Sequence, residues 1–164
     1  MATNKNKYPN LTRVLNDFGK FLVDEYKDNL ILNDKNASND LYNSVSYAIK
    51  KGNNEFNVTI ELNHYWKYIE KGRKAGKFPP ISAIEKWIKV KPVLPRPYNG
   101  KLPTTKQLAY LIARKIALDG IKPQPLLQQS LNDVMDVMME FIQEAIYKDI
   151  ENEFEMIFNE IGFN

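Results

Sequence analysis

The 164-residue chain predicts an α+β fold: amphipathic helices packed on a small antiparallel β element, with a long C-terminal helix. Three observations carry that reading. Residues 56–63 alternate Phe56, Val58, Ile60 and Leu62 with Asn57, Thr59, Glu61 and Asn63, the period of two that a half-buried strand requires. Apolar residues recur at helical spacing in six other stretches. The last of these, Leu127, Leu131, Val134, Met138, Phe141, Ala145, Ile150, Phe154 and Ile157, keeps its stripe for about 35 residues, or roughly 50 Å.

From the N-terminus, residues 9–31 space Leu11, Val14, Leu15, Phe18, Leu22 and Tyr26 as an amphipathic helix starting near Asn10. Gly19 weakens its centre by roughly 1 kcal/mol relative to alanine, and its missing side chain admits a close neighbour. NDKNASND is a polar loop, after which Ser38 or Asn39 caps a second predicted helix, DLYNSVSYAIKK, with Leu41, Val45 and Ala48 on one face. Lys51-Gly52-Asn53-Asn54 is a turn. The strand after it is unstable alone, so it pairs with another segment or another subunit. HYWKYIEKG forms a helical turn with Gly72 just past its end.

Pro79-Pro80 forces extended backbone. Pro80 or Ser82 then opens SAIEKWIKV, a short helix with Ile84, Trp87 and Ile88 inward. Residues 91–103, KPVLPRPYNGKLP, carry four prolines and form a stiff connector of the kind that serves as a contact loop. Thr104 or Thr105 caps KQLAYLIARKIALD, with Leu108, Leu111, Ile112 and Ile116 inward and Gly120 as the stop. Pro125 opens the final stripe, either one helix or two with a break near Tyr147–Asp149. A helix of that length exceeds what the globule needs, so its far end is expected to pack outside the protomer. No internal repeat or low-complexity segment interrupts the pattern, and length predicts one domain over 1–164.

Composition narrows the function classes. There is no cysteine, which removes disulfides, thiolate zinc and cysteine catalysis. No run of 18 or more apolar residues predicts a membrane span. The N-terminal segment has no apolar h-region, so the chain is expected to be made in the cytoplasm, and the glycosylation patterns at 36–38 and 57–59 are read as chance. The single histidine, His64, cannot supply a multi-imidazole metal site or a Ser-His-Asp set with a recognisable elbow. Glu151, Glu153, Glu155 and Glu160 read as a solvated acidic surface rather than a metal site. No catalytic residue, cofactor site or metal site is marked, and the chain is read as non-enzymatic.

Charge distribution is more informative than the net charge of +3. Residues 67–101 carry ten Lys/Arg against Glu70 and Glu85, about +8; residues 131–164 carry nine acids against Lys148, about −8. Within the basic segment, KGRKAGK resembles a phosphate-binding loop only loosely. Gly72 and Gly76 stand one residue too close for a Walker A loop, and Phe78 occupies the place of the magnesium-binding hydroxyl. The candidate contact residues are Lys71, Arg73, Lys74, Lys77, Lys89, Lys91, Arg96 and Lys101. Supported by Lys86 and interleaved with Phe78, Trp87 and Tyr98, they could hold phosphates without reading sequence, although Trp87 also fits a buried stripe. No helix-turn-helix, RRM or zinc-finger signature accompanies them.

Three stretches resemble a known family by their order and spacing: Tyr65-x-x-Tyr68-Ile69-Glu70-x-Gly72; Pro79-Pro80-Ile81 with Ala83-Ile84 and Trp87-Ile88; and Ala113-Arg114-Lys115-Ile116 followed by Gly120-Ile121-x-Pro123-x-Pro125-Leu126-Leu127. With LYNSV and NVTIEL before them, they make residues 38–135 similar to the small neck proteins of tailed bacteriophages, the tail-completion, tail-terminator or head–tail joining proteins. That resemblance implies a non-enzymatic virion protein, without a cofactor, that forms a homo-oligomeric ring around the DNA channel and contacts the portal and other neck or tail proteins. DNA contact would be transient and nonspecific. The chain departs from the family pattern in two places: the connector 91–103 is proline-rich, and the acidic C-terminal helix, over 125–160, runs longer than the match requires. Both a portal-proximal adaptor of a short-tailed phage, including the crAss-like group, and a tail terminator of a long-tailed phage fit the resemblance. The charge split suits subunit or partner contact more than lumen contact. The alternative is a small nonspecific nucleic-acid-binding protein acting through residues 71–101.

Overall fold

A computed structural model describes residues 7–35, 38–52, 55–91, 93–97 and 100–162. Asn36, Asn53, Asn54 and Tyr98, which figure in the sequence reading, lie outside the described residues. Among the described residues, six helices and one two-stranded antiparallel sheet form in the order α1 (Pro9–Leu32), α2 (Asp40–Ser44), β1 (Ser46–Lys51), β2 (Phe56–Glu61), α3 (Trp66–Glu70), α4 (Ile81–Val90), α5 (Thr105–Asp119) and α6 (Leu126–Glu160). The fold class is therefore α+β with a long C-terminal helix. The described residues gather into two compact units: the first takes those of 1–26, 46–61 and 129–164, the second those of 27–45 and 62–128.

In the first unit, α1 and α6 supply the core: Val14, Phe18 and Leu22 meet Val134, Met138 and Ala145. The hairpin completes it. β1 and β2 pair from Ser46↔Glu61 to Lys51↔Phe56, and Gly52 N donates to Glu55 O at 2.9 Å across the turn. Opposed residues of an antiparallel pair share a face, so Ile60 and Val58 turn the same way as Tyr47 and Ile49. Val58 and Ile60 pack on the core. Phe56 meets the Tyr8 ring edge-on at 5.9 Å.

Residues 45–51 correct the sequence reading. The predicted second helix stops at Ser44, and SYAIKK is the partner strand. Val45, Tyr47 and Ile49 also alternate, and the Gly52 turn returns the chain at a register that satisfies the backbone of β2. Helical spacing and alternation were both present in this short stretch, and the tertiary partner decided between them. Asn39 occupies the position before α2 at φ 56 but makes no side-chain cap bond.

Gly19 does admit a close neighbour. A Cβ at this position would lie 2.3 Å from Cδ2 and 2.8 Å from Cγ of Tyr47, too near the root of that side chain for a small adjustment. Gly19→Ala is therefore expected to destabilise by about 1–3 kcal/mol through overpacking, despite the roughly 1 kcal/mol that alanine gains in a helix. A urea titration showing equal or greater stability would contradict this packing.

α6 is one unbroken helix of 35 residues, which settles the one-or-two question. Within it, Asp149 is 2% exposed and anchors the start of α1. Its Oδ1 accepts from Asn10 N at 3.0 Å and Asn10 Nδ2 at 2.8 Å, and its Oδ2 accepts from Leu11 N at 2.8 Å. Pro9 begins α1 with no N–H to satisfy, and the carboxylate serves the next donors at the positive end of the helix dipole. Of the stripe's large residues, Phe141, Ile150, Phe154 and Ile157 are exposed. Beyond Asp149 every described residue is exposed except the half-buried Glu153.

Candidate assembly interface

The second unit holds all eight candidate contact residues, and their placement follows from how the loop after α3 is anchored. α3 ends at Glu70 with Lys71 as its C-cap, and Gly72 adopts φ 63. The next residue forms an isolated antiparallel bridge: Arg73 N donates to Ile121 O at 2.9 Å and Ile121 N to Arg73 O at 2.8 Å. Gly76 N donates to Ala117 O at 2.8 Å, and Gln124 N to Ile69 O at 2.8 Å. Glu70 Oε1 accepts from Leu127 N at 2.6 Å and so caps the first turn of α6. The basic loop is thus stitched to the α5–α6 junction by its backbone.

Two glycines make that approach possible. A Cβ on Gly72 would fall 2.2 Å from Ile121 O, and one on Gly120, at φ 74, would fall 2.4 Å from Arg73 O. The glycines of KGRK and DGIK therefore face each other's backbone. They serve chain crossing rather than phosphate cradling.

The loop's side chains divide accordingly. Lys71, Lys74 and Lys77 are exposed. Arg73 is half-buried, and its guanidinium donates to Lys77 O at 2.9 Å, bracing the loop itself. Phe78 packs against Tyr110 with ring centroids 5.7 Å apart. Lys89 is exposed at the last turn of α4. Lys91, just beyond it, binds the Asp34 carboxylate and donates to Asp34 O at 3.0 Å. Arg96 and Lys101 are exposed on the connector. The fold thus presents six of the eight cations outward and gives Arg73 and Lys91 intramolecular partners.

α4 and α5 correct the sequence reading of inward faces. Ile84, Trp87 and Ile88 are half-buried, and no α4 residue is fully buried. On α5, preceded by the predicted Thr104 cap with its reciprocal Gln107 bonds, the buried residues are Ala109 and Ala113, while Leu111 is 53% exposed. Small side chains at 109 and 113 let a neighbour approach closely, which displaces the larger residues to the edges of the contact. The consequence is a groove of about 580 Å³ whose wall includes Ala83, Ile84, Trp87 and Val90 of α4 and Ile112 and Ile116 of α5. Its rim carries Lys35, Lys86 and Lys91 together with Asp34 and Asp40, and His64 also lines it. Lys35 had no sequence signal for this role: the end of α1 carries it there. The spacing of residues 83, 84, 87 and 90 was visible, but spacing alone does not tell a core stripe from a groove wall.

Among the described residues, no group of three or more His, Cys, Asp or Glu is arranged to hold a metal, and no helix is long and apolar enough to cross a membrane. Comparison of the chain with protein-family models, characterised proteins and solved structures finds no match.

Proposed function

We propose that this chain is a structural virion protein that forms a homo-oligomeric ring in the head–tail connector of a tailed phage, around the DNA channel and against the portal and neighbouring neck or tail proteins. The observation that carries this reading is the presence of two unlike, complementary surfaces on one chain. One is the exposed basic set Lys71, Lys74, Lys77, Lys89, Arg96 and Lys101 in the second unit. The other is the exposed end of α6, with Glu151, Glu155 and Glu160 beside large apolar side chains. A ring built from head-to-tail contacts needs two different surfaces per subunit, and opposite charge steers them together. The motif resemblance over residues 38–135 supports the same assignment.

The test is the mass of the purified protein by light scattering across concentration and salt, with and without duplex DNA. A discrete oligomer, or a monomer that closes into a ring on a portal, fulfils the proposal. Lys74→Glu/Lys77→Glu is expected to raise the concentration for half-assembly about tenfold while shifting the thermal midpoint by less than about 2 °C, because both side chains are exposed. Loss of the thermal transition would show that the two lysines serve folding. The exposed lysines also favour a second reading, nonspecific nucleic-acid binding. A monomer that ignores protein partners and binds DNA with affinity falling steeply in salt would replace the ring by that reading.

A further inference from the structure

The end of α6 and the turn that follows it have the form of a ligand. Phe154, Ile157, Phe158 and Ile161 stand at i, i+3, i+4 and i+7 and are all exposed, the spacing by which an amphipathic helix anchors in a groove. The Phe154 and Phe158 rings lie 6.4 Å apart and 24° from parallel, so they present one apolar plate. Four large apolar side chains together on an exposed helix end mark an interaction surface. Glu151, Glu155 and Glu160 flank them, and Glu153 is held by Lys7 at 2.8 Å.

The α4–α5 groove has the complementary character. Its wall is apolar and its rim carries three lysines against two aspartates. Lys91 neutralises Asp34, which leaves Lys35 and Lys86 against Asp40. Apolar anchors with an acidic margin therefore meet an apolar slot with a basic margin.

We infer that residues 150–161 of one copy seat in the α4–α5 groove of a second copy. Phe154, Ile157, Phe158 and Ile161 pack against Ile84, Trp87, Ile112 and Ile116, and the flanking glutamates meet Lys35 and Lys86. The opposite charge of the two surfaces selects this occupant, and every chain carries both halves of the contact. The inference deepens the ring reading and rests on it for the identity of the partner as a second copy. It assigns the head-to-tail contact to particular residues and makes unit-to-unit linkage between copies heterologous.

The experiment uses two full-length variants altered only at exposed positions. Phe154→Glu/Phe158→Glu disables the helix end, and Ala83→Glu/Val90→Glu disables the groove. Each alone is expected to need at least about 100-fold more protein for half-assembly than the unaltered chain, with its thermal transition retained. Mixed together, they are expected to form a 1:1 dimer and stop there, because one intact helix end and one intact groove remain. Assembly of both single variants like the unaltered protein overturns the inference and leaves the ring reading standing. A folded mixture that stays monomeric also overturns it, as does an unaltered chain that is itself monomeric with its helix end seated in its own groove. If the mixture dimerises but the unaltered protein grows into open polymers and never closes on a portal, the docking stands and the ring reading falls.

Discussion

Asp149→Ala is expected to destabilise the protein by about 2–4 kcal/mol and to lower its thermal midpoint by roughly 5–15 °C. The carboxylate is 2% exposed and accepts three hydrogen bonds from the first turn of α1. Truncation removes all three acceptor contacts, leaves the backbone N–H groups of Asn10 and Leu11 unserved, and takes a negative charge from the positive end of a 24-residue helix. The loss is larger than for an exposed cap because the site is closed to the water that would otherwise replace the acceptor. Asp149→Asn keeps the shape but turns one acceptor into a donor facing a donor, so it is expected to recover less than half of the loss. Asn10→Ala removes a single side-chain donor and should cost about 1 kcal/mol. Differential scanning calorimetry of the three variants checks the ordering. A change below about 0.5 kcal/mol for Asp149→Ala would mean that the carboxylate does not anchor α1.

Gly120→Ala is the second large effect, at about 2–4 kcal/mol. Gly120 combines φ 74 with ψ −163, a region that side-chain-bearing residues avoid, and its added Cβ would fall 2.4 Å from Arg73 O. To relieve that overlap the chain must separate residues 73 and 121, breaking the pair of backbone bonds that fastens the basic loop to the end of α5. Gly76→Ala supplies the contrast. Gly76 also has positive φ, but a Cβ there meets nothing within 4 Å, so its cost should be confined to backbone strain of about 1–3 kcal/mol. Amide hydrogen exchange separates the two cases: protection at Arg73 and Ile121 is expected to fall in Gly120→Ala and to persist in Gly76→Ala. Equal protection in both variants would refute the bridge as the loop's fastening.

Much of this architecture is written locally. The extent of α1, the start of α5 at its Thr104–Gln107 box, the stops at Gly72 and Gly120, and β2 all depend on residues within one or two turns of each other. The candidate surface was legible as charge, and six of its eight cations are exposed. What charge could not reveal is that Arg73 braces its own loop and Lys91 is taken by Asp34, 57 positions away. A guanidinium or ammonium carries the same sequence signal whether it faces solvent or a neighbour.

The sequence by itself determined the α+β class, the apolar stripe of the C-terminal segment and the glycine and threonine punctuation of the helices, because periodicity and capping act over a few residues. Only the tertiary structure decided that 46–51 is a strand, that Glu70 caps α6, that Asp149 is buried beneath α1 and that the α4–α5 stripe lines a groove. Each of these depends on a partner distant in sequence, up to 139 positions away for Asp149 and Asn10. A polar side chain becomes a buried cap, and an apolar stripe becomes a wall, only when folding fixes what stands opposite it.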